Sequence, residues 1–343
     1  MNLLRLLLVA ALVAAVVVAA GWYVLVPRWP MPSGPDAIAE SNATLQDSNG
    51  QPLAVTIWQP REVKGPAPLI LYSPGWGGPR NQSRAQVENL ASNGFVVLGI
   101  DDYANDRAAD PDKGISFELL TEAQTVESMR RAARHVTTQG NRIVEVLAAL
   151  REGQLPDLAD RIDLGRVGIL GMSIGGPSGL AAATRDPHIV AVYNLDGGLF
   201  GLAARQIRVP HYFLMSSREA FPSDAELTSP DTYTRNYAKV SALDIPHNSL
   251  RMERPHGYWA QLPAAEHDEL SDALFRMRRR LPIRTNLERT DMNEAIGKTQ
   301  VAFFRSALLR DEGPLRALLG RSDQTLRWIS PSSPPPGAAR ARQ

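Results

Sequence analysis

Five residues, Gly171-Met172-Ser173-Ile174-Gly175, combine a nucleophile with the two glycines that let it stand on a sharp turn. The apolar run Val167 to Leu170 reads as a buried strand, and the Ala-rich stretch after Gly175 reads as a helix. Ser173 then falls on a strand-to-helix turn that strains its backbone and crowds the positions two before and two after it. The chemistry this offers is attack of a hydroxyl oxygen on a carbonyl carbon. A serine hydroxyl does this only when an imidazole takes its proton, a carboxylate orients the imidazole, and two backbone N–H groups receive the oxyanion.

Six histidines are available for the imidazole. His211 opens a predicted strand and His247 precedes one, while His135 and His267 fall in predicted helical segments and His188 lies in a connection. His256 alone follows a predicted strand, Ser249 to Glu253, in the rigid turn Arg254-Pro255-His256-Gly257, so it is the expected base. For the acid, Asp196 comes directly off the predicted strand Ile189 to Leu195, before Gly197-Gly198. Glu219 and Asp224, after the next strand, remain the alternatives in a looser segment. The oxyanion donors are expected from the N–H of Ile174 and of Trp76, in the Gly-rich turn Ser73-Pro74-Gly75-Trp76-Gly77-Gly78. The Trp76 ring is also a candidate wall for an acyl pocket.

These groups need a scaffold that presents strand ends together. Strand-like segments at Leu53 to Trp58, Pro68 to Tyr72, Phe95 to Ile100, Val167 to Leu170, Ile189 to Leu195 and His211 to Met215 alternate with helical ones. The helical segments are Gln82 to Ser92, Glu118 to Arg151 with a break near Gly140, Thr232 to Ala242, Glu266 to Arg280 and Asp291 to Leu309. Such alternation predicts an α/β fold: a mostly parallel central sheet with helices on both faces, and sites beyond the carboxyl ends of the strands.

The chain of 343 residues has 44% hydrophobic content, a net charge of +1 and no cysteine. That excludes a thiolate nucleophile, a disulfide framework and an electrostatic case for nucleic acid. No histidine pair has metal-ligand spacing, and neither metal nor cofactor is expected. Residues 6–26 are an uncharged apolar run between Arg5 and Arg28, expected as an N-terminal hydrophobic helix: a transmembrane anchor, or a signal peptide with Val18-Ala19-Ala20 as cleavage site. Either places the rest outside the cytoplasm. A Pro-rich spacer over 27–35, a catalytic domain over 36–328 and a disordered tail over 329–343 complete the expected organisation. Nothing in the chain specifies an oligomeric state.

From about Leu53 to Ala260 the chain resembles the α/β-hydrolase superfamily. Within it, the chain is similar to the platelet-activating-factor acetylhydrolase and dienelactone-hydrolase-like branch, with polyester hydrolases as cousins. The residues that carry the resemblance are Leu71 to Gly78, Arg166 to Gly176, the strand ending at Asp196 and the Pro-His-Gly turn at His256. It implies an α/β-hydrolase fold and a serine hydrolase that cleaves a short-acyl or lipid-like carboxylic ester through an acyl-enzyme. It also implies an acid shortly after the nucleophile, which favours Asp196 over Glu219. Relatives often carry histidine where this chain has Pro74 and Met172, so contacts around the oxyanion turn differ. An acyltransferase with the same residues, or a silent hydrolase fold used for binding, are the alternatives. Arg276, Arg278, Arg279 and Arg280 are candidates to meet anionic head groups on a helix face.

Overall fold

Leu69 and Leu71 face one layer of the core while Ile70 and Tyr72 face the other, the two-residue period of a strand buried on both sides. The same division runs across the sheet of the computed structural model, which describes residues 3–62, 65–105, 120–200, 207–217, 222–252, 257–277 and 281–329. The strands are β1 (Ile38–Gln46), β2 (Pro52–Pro60), β3 (Ala67–Ser73), β4 (Val96–Ile100), β5 (Ile162–Met172), β6 (Ile189–Leu195), β7 (His211–Met215), β8 (Gly257–Gln261) and β9 (Arg327–Trp328). They lie in the order β1-β2-β4-β3-β5-β6-β7-β8-β9. The run from β4 to β8 is parallel, and β1, β2 and β9 close the two edges antiparallel.

The helices are α1 (Leu3–Leu25), α2 (Arg84–Ser92), α3 (Glu122–Arg151), α4 (Pro156–Ala159), α5 (Gly175–Ala183), α6 (Asp224–Leu227), α7 (Thr232–Met252), α8 (Asn286–Leu309) and α9 (Gly313–Leu318). On one face Val87 and Leu90 of α2 and Phe303 and Phe304 of α8 pack on Trp58, Tyr72, Tyr193 and Tyr212. On the other, Ile143, Val146 and Leu147 of α3 and Leu180 of α5 pack on Leu71, Ile169 and Val192. A mostly parallel sheet covered on both faces is the arrangement expected from the alternating segments.

Three expectations change. Helix α3 is not broken at Gly140; a Cβ there would lie 3.1 Å from the Ser178 carbonyl, so the missing side chain lets α3 cross close to α5. Residues 249–252 belong to α7 and not to a strand, and the strand that follows is β8, after position 256. The helix expected over Glu266 to Arg280 is instead two single 3-10 turns, His267–Leu270 and Asp272–Phe275. Of the four arginines expected there, Arg276 lies just past the second turn, and Arg278, Arg279 and Arg280 lie outside the described residues.

At the N-terminus, α1 exposes Leu12, Val13, Val16 and Val17. Its last carbonyls are capped by the body: Asn286 donates to Tyr23 O and Val26 O, and Arg289 to Leu25 O. Among the described residues no helix is long and apolar enough to cross a membrane, so the bilayer anchor expected over 6–26 is not found there. The Pro-rich segment is tied down at its end, with Ser33 N donating to Asn89 Oδ1 and Gly34 N to Ser92 Oγ. Ile329 donates to Trp259 O beside β9; the rest of the expected tail lies outside the described residues.

Candidate functional site

Gly171 and Gly175 are glycines because nothing larger fits. A Cβ on Gly171 would sit 2.3 Å from the Gly175 backbone, and one on Gly175 would sit 2.2 Å from Ser73 O. Between them Ser173 has φ +51°, a left-handed conformation costing about 1–3 kcal/mol that surrounding structure must hold. Its N–H donates to Leu195 O at 2.7 Å, fastening the turn to the end of β6. The hydroxyl stands between β5 and α5, at the carboxyl end of the parallel strands, where such sheets place their sites.

Asp196 follows β6 and also takes a positive φ, +56°. Its N–H donates to Leu214 O, and its Oδ1 accepts from Ser216 N at 2.7 Å. The carboxylate is almost fully buried, and its Oδ2 lies 2.7 Å from Nδ1 of His267. Nε2 of the same ring is 3.0 Å from Ser173 Oγ. Because a carboxylate only accepts, Nδ1 carries the proton and Nε2 is left to accept from the serine. Ser173, His267 and Asp196 thus form one continuous chain of hydrogen bonds.

The imidazole in this chain belongs to His267, not His256, which lies outside the described residues. The strand expected over Ser249 to Glu253 is not there: 249–252 end α7 and β8 starts at Gly257, so in the sequence His256 comes before the strand and His267 after it. Tyr258 and Trp259, an aromatic pair of high strand propensity, were the available signal. Asp196 makes the acid contact; Asp224 is exposed at the start of α6 and Glu219 lies outside the described residues.

The segment carrying His267 is anchored on three sides. Arg284 donates to both carboxylate oxygens of buried Glu269 at 2.9 and 2.8 Å. Gln86 Nε2 donates to Leu270 O, and Ser217 N to Ala265 O. Asp272 accepts from the N–H groups of Arg84 and Ala85 at the start of α2. Burial pushes the Asp272 carboxyl up to about 6 despite those two hydrogen bonds.

Gly75 closes the other side, since a Cβ there would meet Ser173 Cβ at 3.4 Å. Its N–H donates to Gln82 Oε1, and that of Gly77 to Asp102 Oδ1. The N–H groups of Trp76 and Ile174, the two expected donors, have no protein acceptor among the described residues. Trp76, Ile174 and Phe200 cluster with Ala132 and Val136 of α3, which gives the site an apolar, partly aromatic flank. A cleft lined by Ser217, Glu226, Tyr233, Tyr237 and Ser241 opens past the end of β7. Among the described residues no group of three or more His, Asp or Glu side chains is placed to hold a metal.

No family model matches the chain. Over 183 residues it is 28% identical to Cutinase est1 of Thermobifida alba, covering 52% of this chain and 50% of that protein. Over 195 residues it is 28% identical to a cutinase of Thermobifida fusca strain YX, covering 54% and 55%. The chain thus spans about half the length of the curated relatives it matches. Among solved structures, a ferulic acid esterase from Streptomyces cinnamoneus superposes with a TM-score of 0.62 over 88% of this chain and 99% of that one, at 19% identity. The chain shares its fold with that esterase.

Proposed function

We propose that the chain is a carboxylic ester hydrolase working through an acyl-enzyme, with Ser173 as nucleophile, His267 as general base and then acid, and Asp196 as the group that orients and stabilises the imidazolium. The observation that carries this reading is the Ser173 Oγ to His267 Nε2 to Asp196 Oδ2 relay, at 3.0 and 2.7 Å. In the first half-reaction Ser173 Oγ bonds to the carbonyl carbon while its proton passes to Nε2, and the negative oxygen is received by the N–H groups of Trp76 and Ile174. Collapse expels the alcohol, which takes the proton from Nε2. Water, deprotonated by the same nitrogen, then releases the acid.

The likeness to cutinases and to a ferulic acid esterase supports an ester as substrate, and the acyl part is placed against Trp76, Ile174 and Phe200. The acetylhydrolase-like branch finds its support in the motif residues alone. The apolar N-terminal run supports a place outside the cytoplasm. Ser173→Ala is expected to abolish hydrolysis of p-nitrophenyl acetate with unchanged thermal unfolding; turnover near that of the wild type refutes the assignment.

A further inference from the structure

Asp102 and His135 form a second buried carboxylate–imidazole pair that the proposed chemistry does not use. Their side chains are both fully buried, with His135 Nε2 at 2.7 Å from Asp102 Oδ2. A carboxylate only accepts, so Nε2 is the donor; Nδ1 is then a buried acceptor with no partner among the described residues. Leaving such an atom without a partner is destabilising, so stability alone does not account for a histidine here.

What the pair touches is the turn that bears Trp76. Gly78 N donates to Gly75 O at 2.8 Å and Gly77 has φ +64°, the features of a type II turn with Trp76 and Gly77 at its centre. A turn of this kind uses neither central N–H internally. Asp102 Oδ1 takes that of Gly77 at 2.9 Å, and Asp102 N donates to Gly78 O. Only the Trp76 N–H is then left for an oxyanion. Asp102 thus holds two of the peptides that follow Trp76, through the Gly77 N–H and the Gly78 carbonyl, so the turn cannot shift, and carry the Trp76 N–H with it, without breaking one of these bonds. His135 completes the device in two ways. It holds Oδ2, so that Oδ1 stays on Gly77 N and Ala104 N, and its ring lies 4.1 Å from the Trp76 ring and 4.4 Å from that of Tyr103.

We infer that Asp102 and His135 are positioning residues that lock the Gly75–Gly78 turn with the Trp76 N–H aimed at the oxyanion, acting through Gly77 rather than on substrate. This rests on the reading of Ser173 and Trp76 given above. The test uses the full chain with two esters, p-nitrophenyl acetate and its thiono analogue, in which the poorly accepting sulfur replaces the carbonyl oxygen. An enzyme that relies on oriented donors favours the oxygen ester; one whose donors are loosened favours it less. His135→Phe and Asp102→Ala are expected to lower kcat for the oxygen ester by about 10- to 100-fold, below the roughly 10²- to 10³-fold loss of a whole donor. KM should stay within about twofold, and the oxygen-to-thiono ratio of kcat/KM should shrink by at least about fivefold. His135→Gln, which keeps a donor for Asp102, is expected to restore most of both. A kcat loss at an unchanged ratio, a loss carried by KM, or wild-type kinetics in His135→Phe overturns the inference. If His135→Phe does not fold, Asp102→Ala decides by the same criteria. Ser173→Ala separates the two levels: turnover retained there removes the site reading itself, whereas an inactive Ser173→Ala beside unaltered ratios removes only the role of Asp102 and His135.

Discussion

Replacing Asp272 by asparagine isolates one titration and reads it as stability. The carboxyl lies five residues beyond His267, caps the first N–H groups of α2 and is 3% exposed. Burial is the largest influence and raises it, the Ala85 and Arg84 N–H groups pull it back, and the net result is a rise from 3.8 to about 6. Below pH 3.8 the group is protonated in both folded and unfolded chains and its contribution is fully present. As pH rises the unfolded chain ionises first, so stability falls by about 1.4 kcal/mol per pH unit until the folded carboxyl ionises near 6. The whole loss is about 3 kcal/mol, of which about 2 kcal/mol falls between pH 4.5 and 7.5. Asparagine keeps the shape and has no such slope. Urea unfolding of both proteins at those two pH values, compared as a difference so that distant titrating groups cancel, should show the wild type losing about 2 kcal/mol relative to Asp272→Asn. A difference constant to about 0.5 kcal/mol, or one that moves in favour of the wild type, refutes the reasoning.

Two further outcomes concern the groups that hold His267. Asp196→Asn should lower kcat roughly 10⁴-fold, because the amide favours the wrong tautomer of His267, while Glu219→Gln leaves steady-state hydrolysis near wild type. Glu269→Gln leaves the Arg284 charge, 12% exposed, without its bidentate partner. That should cost about 3–5 kcal/mol, seen as a lower urea midpoint at an unchanged slope.

The centre of the fold was legible because parallel strands buried on both sides are written as short runs of branched and aromatic residues. Pro68 to Tyr72, Ile189 to Leu195 and His211 to Met215 match β3, β6 and β7 to within a residue or two. The edges were not. β1 alternates weakly between half-buried and exposed positions, and β9 is two residues long, so neither leaves a pattern in the sequence. The places of Ser173 and Asp196 at strand ends were legible because local backbone demands accompany each: two glycines around one and a Gly-Gly after the other. His267 has no such local mark, since its place is set by β8 and by the Glu269–Arg284 and Asp272–α2 contacts, which join residues distant in sequence. The Asp102–His135 pair spans 33 residues and was invisible for the same reason; in the sequence His135 simply falls in a predicted helical segment.

The most direct measurement compares His267→Ala with His256→Ala for hydrolysis of p-nitrophenyl acetate and for labelling of Ser173 by a fluorophosphonate, with thermal unfolding of each variant alongside. His267→Ala is expected to lose turnover by several orders of magnitude and to label slowly, and His256→Ala to stay within a few-fold of wild type. Full turnover in folded His267→Ala, or loss of activity in His256→Ala alone, contradicts the role of His267.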